Sequence, residues 1–322
     1  MKYADIGEVQ FEKLLIDKLT TGSAFTSNMV QDGKGPANLY TKTLKKKLWK
    51  YEPHIKTTKD LWDNFRNILY RLNQKVLSAP LSDTEFGQVQ KMISELYTPY
   101  LAGQFLYGLN GKAQVEIDLE NGQHVYLDVF DQKQIGAGNT VYQVVNQIRR
   151  PAKVAGCQDR RFDTTLLING LPIIQIEEKG LNHTVDEALN QMQQYIVEKQ
   201  YTDIFSTVQI LVAMTPNRIK YMANTTADTF NKDFSFDWQR RDNNSVVRDW
   251  AEFSDLFLSI PMAHQMATQF TILDGTSNHQ MLKVMRPYQV YATQAVLNEL
   301  KQVDFDGPLN LLGYVWHTTG SG

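Results

Sequence analysis

The stretch RRFDTTLLINGLPIIQIEEKG, residues 160–180, decides how the rest of the chain is read. Two largely apolar runs, residues 164–168 and 173–176, flank Asn169-Gly170, the dipeptide that most favours a reversing turn between strands. The stretch reads as a β-hairpin, with Asp163 near the start of its first strand and Glu177 and Lys179 near the end of its second. Successive strand residues face opposite sides, so Gln175, Glu177 and Lys179 share one face, and Ile174, Ile176 and Glu178 the other. A two-residue loop would set Asp163 opposite Ile176 and turn it away from Glu177. A three-residue loop, Asn169-Gly170-Leu171, pairs Asp163 with Glu177 and Thr165 with Gln175. It also gathers Leu166, Ile168, Ile174 and Ile176 on one apolar face and leaves Pro172 at the first strand position, where a missing N–H is tolerated. The apolar residues select that odd register, or a bulge with the same effect.

Composition narrows the setting. The 322 residues carry a formal net charge of −2, which excludes a polycationic scaffold but not local basic patches. A lone cysteine, Cys157, rules out an internal disulfide framework and suits a reducing compartment. With no apolar run long enough for a membrane span and no apolar leader, the expectation is a soluble cytoplasmic protein that makes no membrane contact. The six histidines are dispersed without ligand spacing, so no zinc site is expected.

Along the chain, residues 6–20 have helical apolar spacing and set Glu8 and Glu12 one turn apart. A basic run (Lys42, Lys45, Lys46, Lys47, Lys50) surrounds Trp49 and Tyr51; a solvated helix face is favoured over phosphate contact. Amphipathic helices are expected over 58–76 and after the capping box Ser82-Asp83-Thr84-Glu85. Residues 113–130 read as two strands joined through Asn121-Gly122. Asn139 reads as the cap of a helix carrying Val141, Val144, Val145 and Ile148. Arg149, Arg150, Lys153, Arg160 and Arg161 put five cations upstream of Asp163. Thr184-Val185-Asp186-Glu187 opens a further helix, residues 208–214 form a buried, parallel strand, and residues 218–224 follow as a strand. Short helices are expected over 250–258 and 288–300.

Asp163, Glu177 and Lys179 are the residue types that metal-dependent phosphodiester cleavage needs. Two carboxylates can hold Mg²⁺, which keeps several of its waters. A lysine can position the attacking water or balance charge. Glu178 can add its backbone carbonyl, whereas its side chain should point outward, away from the site. Spacing alone is a weak signal, since cross-strand Glu–Lys and Asp–Lys pairs are common surface ion pairs, and by itself it favours that reading over catalysis.

The hairpin, followed by helix, strand and strand, resembles the PD-(D/E)xK nuclease superfamily. More closely, residues 162–172 and 175–179 resemble the amino-terminal nuclease domain of the R subunit of type I restriction-modification enzymes. So does Gln191-Met192-Gln193-Gln194-Tyr195, which fits that family's Q-x-x-x-Y element. The resemblance implies an α/β fold: a restriction-endonuclease-like core of mixed sheet flanked by helices, with an N-terminal helical insertion and the start of a RecA-like motor domain. It implies an endonuclease domain over 1–260, with its core at about 105–224, and a motor segment over 261–322. The implied activity is Mg²⁺-dependent cleavage of double-stranded DNA within an ATP-dependent restriction enzyme for host defence. The alternative is a non-catalytic domain docking DNA or a subunit.

By the same resemblance Asp163, Glu177 and Lys179 are catalytic. Asp163, Glu177 and the Glu178 carbonyl hold the metal, with Glu8 or Glu12 as a further ligand, Glu8 being favoured narrowly over Glu12. Gln191, Tyr195, Arg149, Arg150, Arg160 and Arg161 contact DNA, and the methyltransferase and specificity subunits are partners. Arg286-Pro287-Tyr288-Gln289 resembles the segment ahead of the first helicase motif, where a Gln reads adenine. The chain ends on His317-Thr318-Thr319-Gly320-Ser321-Gly322, so the Lys and Ser/Thr that follow the last glycine of a phosphate-binding loop are missing. With only Gln289 and Thr319, Gly320, Ser321 and Gly322 of an ATP site, the expectation is a fragment without ATPase activity, ATP being a cofactor of the full-length subunit.

Overall fold

A computed structural model describes residues 7–22, 47–136, 138–276, 280–301, 303 and 314–316. In chain order the elements are α1 (Glu8–Thr21), β1 (Lys50–Tyr51), α2 (Thr58–Leu72), α3 (Asp83–Ser94), α4 (Pro99–Tyr107), β2 (Lys112–Asp118) and β3 (His124–Asp131). β4 (Tyr142–Arg150), β5 (Arg160–Ile168), β6 (Leu171–Glu178), α5 (Val185–Val197), β7 (Ile210–Thr215) and β8 (Arg218–Ala223) follow. Then come α6 (Trp250–Leu256), α7 (Met262–Thr268), β9 (Thr271–Asp274), β10 (Met281–Val284) and α8 (Pro287–Leu300). Six strands form one mixed sheet in the order β1-β4-β5-β6-β7-β8, while β2 with β3 and β9 with β10 make separate hairpins. The β6–β7 pairing is parallel, as the apolar run at 208–214 suggests, and β7–β8 is antiparallel. The sheet fold is therefore α/β with a mixed sheet among helices.

The central hairpin turns at Asn169-Gly170 in two residues, not three. Both have positive φ, 51° and 83°, the twist that suits a tight hairpin. A Cβ at Gly170 would also stand 3.0 Å from the Phe65 Cα. The ladder begins Ile168↔Leu171 and Leu167↔Pro172, then shifts to Leu166↔Ile174, Thr165↔Gln175 and Thr164↔Ile176. Ile173 is the extra residue of a bulge, which restores the odd register that the two-residue turn would lose. Continued by one step, that register sets Asp163 opposite Glu177.

Two sequence expectations are overturned around the hairpin. Residues 142–150 form β4, not a helix, with β4 antiparallel to β5. Val144, Val145 and Ile148 are all buried; a strand buried on both faces carries a nearly continuous apolar run that helical periodicity can mimic. In the basic run, Lys50 and Tyr51 are β1, parallel to β4, and Trp49 is buried with its Nε1 donating to the Leu258 carbonyl at 2.8 Å. Lys42, Lys45 and Lys46 lie outside the described residues.

Candidate active site

The end of the hairpin away from its turn brings Asp163, Glu177, Glu178 and Lys179 together. Asp163 Oδ2 accepts the backbone N–H of Glu178 at 3.0 Å, which ties the start of β5 to the end of β6. The Asp163 and Glu177 carboxyl groups are close enough that each shifts the other's ionisation, so the two acids lie on one side as the odd register requires. The Lys179 ammonium donates to Glu177 Oε1 at 3.1 Å and to the Glu178 carbonyl at 3.2 Å, and lies 3.5 Å from Glu8 Oε1.

Burial sets the electrostatics. Glu177 is fully buried, and its Oε2 has no hydrogen-bond partner. Burial, then the Asp163 charge, hold its carboxyl well above the usual range, against the pull of Lys179. Burial also raises Asp163, although the Glu178 N–H and Lys179 favour its charged form. For Lys179 burial works toward the neutral amine, but Glu177 and Asp163 outweigh it and keep the ammonium.

Glu178 departs from expectation. Its side chain was to point outward; instead it is 1% exposed, with neither carboxylate oxygen partnered. α1 packs against β6, so the face opposite Glu177 is interior rather than solvent. Burial, Asp163 and Glu12 push the Glu178 carboxyl well above its usual range.

The two N-terminal candidates separate. Glu8 is exposed and reaches Lys179. Glu12 is buried, and each carboxylate oxygen accepts from a side-chain amide, Oε1 from Asn146 Nδ2 and Oε2 from Gln147 Nε2. Burial raises the Glu12 carboxyl, the amides oppose this, and Asp163 adds to the rise. Among the described residues no three His, Cys, Asp or Glu side chains converge as a metal-holding group.

A groove of about 500 Å³ opens onto the cluster, lined by Glu8, Arg161, Asp163, Lys179 and Gln191 among others. Arg149 and Arg161 are exposed and stand directly opposite each other on β4 and β5. Like charges in that position repel unless an anion lies between them. Arg160 lines the groove but is clamped by both oxygens of Glu198. Arg150 is an interior cation, not a groove residue: it is fully buried, donating to Thr58 Oγ1, the Gln200 carbonyl and the Thr202 carbonyl, with its guanidinium 4.7 Å from the Phe205 ring centre.

Gln191 donates to the Tyr195 hydroxyl, which lies 3.5 Å from the Arg161 carbonyl. Tyr195 is 1% exposed, its ring 5.0 Å from that of Phe162. Both residues line the groove, Gln191 half-buried and Tyr195 almost wholly buried, so Tyr195 braces Gln191 from the groove wall. His183 and Glu187, which sequence reasoning did not assign, also line it. Glu187 Oε2 holds His183 Nδ1 at 2.6 Å while its Oε1 caps α5; the capping box was the available sign.

Elsewhere, Gln289 Oε1 accepts the backbone N–H of Arg286 at 2.8 Å at the start of α8. Thr319, Gly320, Ser321 and Gly322 lie outside the described residues. No helix among the described residues is long and apolar enough to cross a membrane.

Fold and cluster together define an α/β protein with a buried carboxylate–lysine site where two central strands end. The family assignment follows: residues 37–230 match the family described as type I restriction enzyme R protein N terminus (HSDR_N), and the chain belongs to it. Similar curated proteins include the type I restriction enzyme SsaAORF53P endonuclease subunit of Staphylococcus saprophyticus, 31% identical over 269 residues, covering 83% of this chain and 26% of that protein. The SauMSSORF170P endonuclease subunit of Staphylococcus aureus is 32% identical over 273 residues, with the same coverage of both chains. The EcoprrI endonuclease subunit of Escherichia coli is 34% identical over 182 residues, 56% of this chain and 54% of that protein. The chain thus spans about a quarter of the length of the staphylococcal relatives it matches.

Proposed function

We propose that this chain is the DNA-cleaving portion of a type I restriction endonuclease subunit, with a PD-(D/E)xK core and Asp163, Glu177 and Lys179 as its catalytic residues. The observation that carries the reading is the closeness of Asp163, which lines the groove, to the fully buried Glu177, whose Oε2 is unpartnered. A solvated ion pair would leave these groups exposed, and a buried acid without a full set of partners costs stability. Such a cost is expected where a site awaits a cation.

The donor set fits Mg²⁺. All the donors are oxygen, and the Lys179 ammonium lies against two of them, Glu177 Oε1 and the Glu178 carbonyl, which supports a preference for positive charge there. Asp163, Glu177 and the Glu178 carbonyl would hold the ion. When bound, Mg²⁺ supplies an acidified water and charge stabilisation on the phosphate. Lys179 is held protonated by its acidic neighbours, so its role is to orient the attacking water and balance charge rather than to accept a proton. Arg161, which lines the groove, and Arg149, opposite it on β4, grip phosphates, and their mutual repulsion favours an anion between them. Gln191, braced by Tyr195, contacts the DNA backbone. Nothing in this set reads base edges, so target choice falls to a specificity subunit, with a methyltransferase subunit as the other partner. Residues after 260 are proposed as the approach to an ATP-driven motor of the full-length subunit.

The test is cleavage by the full-length subunit assembled with its partners. Asp163→Ala should abolish double-strand cleavage while DNA-stimulated ATP hydrolysis continues. Retained cleavage would remove Asp163 from the chemistry.

A further inference from the structure

We infer that the Asn146-Gln147 step of β4 is a positioning device that fixes Glu12, rather than Glu8, as the helix acid of the cation site. The inference rests on the proposed function and extends it to two residues outside the hairpin. Gln147 has φ 56° in the middle of a strand, a left-handed conformation that a side-chain-bearing residue adopts only when its surroundings impose it. The β4–β5 ladder runs Asn146↔Thr164 and then Ile148↔Phe162. The skipped pair is Gln147 with Asp163, so the backbone departs from regular strand geometry directly beside the candidate catalytic acid.

The departure has a visible consequence. Two consecutive strand residues would normally point to opposite faces, yet here Asn146 and Gln147 both donate to one carboxylate, that of Glu12. The Asn146 amide cannot be turned around: its Oδ1 accepts from Lys56 Nζ at 2.6 Å and Tyr51 Oη at 2.9 Å, which leaves Nδ2 for Glu12. Lys56 Nζ also grips the Asn146 backbone carbonyl at 2.9 Å. Glu12 is therefore held at both oxygens, beside Asp163 and Glu178. Glu8 has one contact from this cluster, at 3.5 Å to Lys179, and among the described residues no amide clamps its carboxylate. An amide-fixed carboxylate adds negative charge to the cation site without needing to reorganise when the ion arrives.

The experiment is a calorimetric Mn²⁺ titration of this chain with parallel thermal unfolding. Gln147→Gly keeps a backbone suited to positive φ but removes one amide donor. It should hold or raise the melting temperature while weakening Mn²⁺ binding about tenfold, the lower end of what losing an outer-shell partner does. Asn146→Ala should weaken binding similarly, and Glu12→Gln should weaken it more than Glu8→Gln. Unchanged Mn²⁺ affinity in Gln147→Gly and Asn146→Ala, or a larger loss from Glu8→Gln than from Glu12→Gln, overturns the inference while leaving the cation site standing. A wild-type chain that binds no Mn²⁺ overturns the cation site itself, and this inference with it.

Discussion

Replacing Glu177 by Gln should make the metal-free chain more stable while destroying its chemistry. Glu177 is fully buried and close enough to the Asp163 carboxyl group for that charge to raise its own proton affinity. At an effective dielectric of about 20 and a separation of about 4 Å, two ionised carboxylates repel by roughly 4 kcal/mol. The Lys179 ammonium, 3.1 Å from Oε1, cancels part of this, leaving a net cost of about 2 kcal/mol at a pH where both acids are ionised. The sign follows from the direction of the shift. The native carboxyl is held above its unfolded value, so the unfolded chain releases its proton first. Stability then falls by about 1.4 kcal/mol per pH unit, from near the unfolded pKa until the native group ionises. Glu177→Gln keeps an oxygen for Lys179 and removes the charge. Urea unfolding in chelator should show it more stable than wild type by about 2 kcal/mol at pH 8, with the difference vanishing near pH 5. The full-length Glu177→Gln subunit should not cut DNA. A stability loss of similar size at both pH values would show that Glu177 serves the fold as an ion-pair partner of Lys179, and would refute the reasoning.

Other outcomes separate the arginines and one buried histidine. Arg149→Ala and Arg161→Ala should leave the melting temperature unchanged, and each should reduce the slope of log affinity for DNA against log salt by about 1. Arg150→Met should leave that slope alone and cost about 3–5 kcal/mol in urea unfolding, because the carbonyls of Gln200 and Thr202 lose a buried donor. His264 is buried against Tyr142, and burial, with Lys47 nearby, lowers its pKa to about 3. The unfolded chain binds that proton first, so this contribution is complete above about pH 6.5 and is lost as pH falls toward 3, at about 1.4 kcal/mol per unit. Wild type should show that slope, and His264→Leu should be flatter over the same range.

Much of the hairpin was legible because turn chemistry and side-chain parity are local. Asn169-Gly170 marked the reversal, and the odd register was required to bring Asp163 to Glu177. The route was not legible. The structure uses a two-residue turn and a bulge at Ile173, and every residue of β6 is buried, so no single apolar face chose the register. The same double burial hid β4, whose valines fit helical spacing, and it concealed Glu178, assigned to solvent because parity cannot say what covers the far face. Arg150 looked like a ligand-contacting residue because charge is visible in a sequence and burial is not. The amides of Asn146 and Gln147 went unnoticed for a related reason. Their importance lies in one backbone angle and in a helix more than a hundred positions away in the sequence.

The most direct measurement is anomalous diffraction from crystals of this chain soaked in Mn²⁺. The account predicts a peak bounded by the carboxylates of Asp163 and Glu177 and the backbone carbonyl of Glu178, absent in Asp163→Asn. A crystal that shows no peak there, or one that survives Asp163→Asn unchanged, would contradict it.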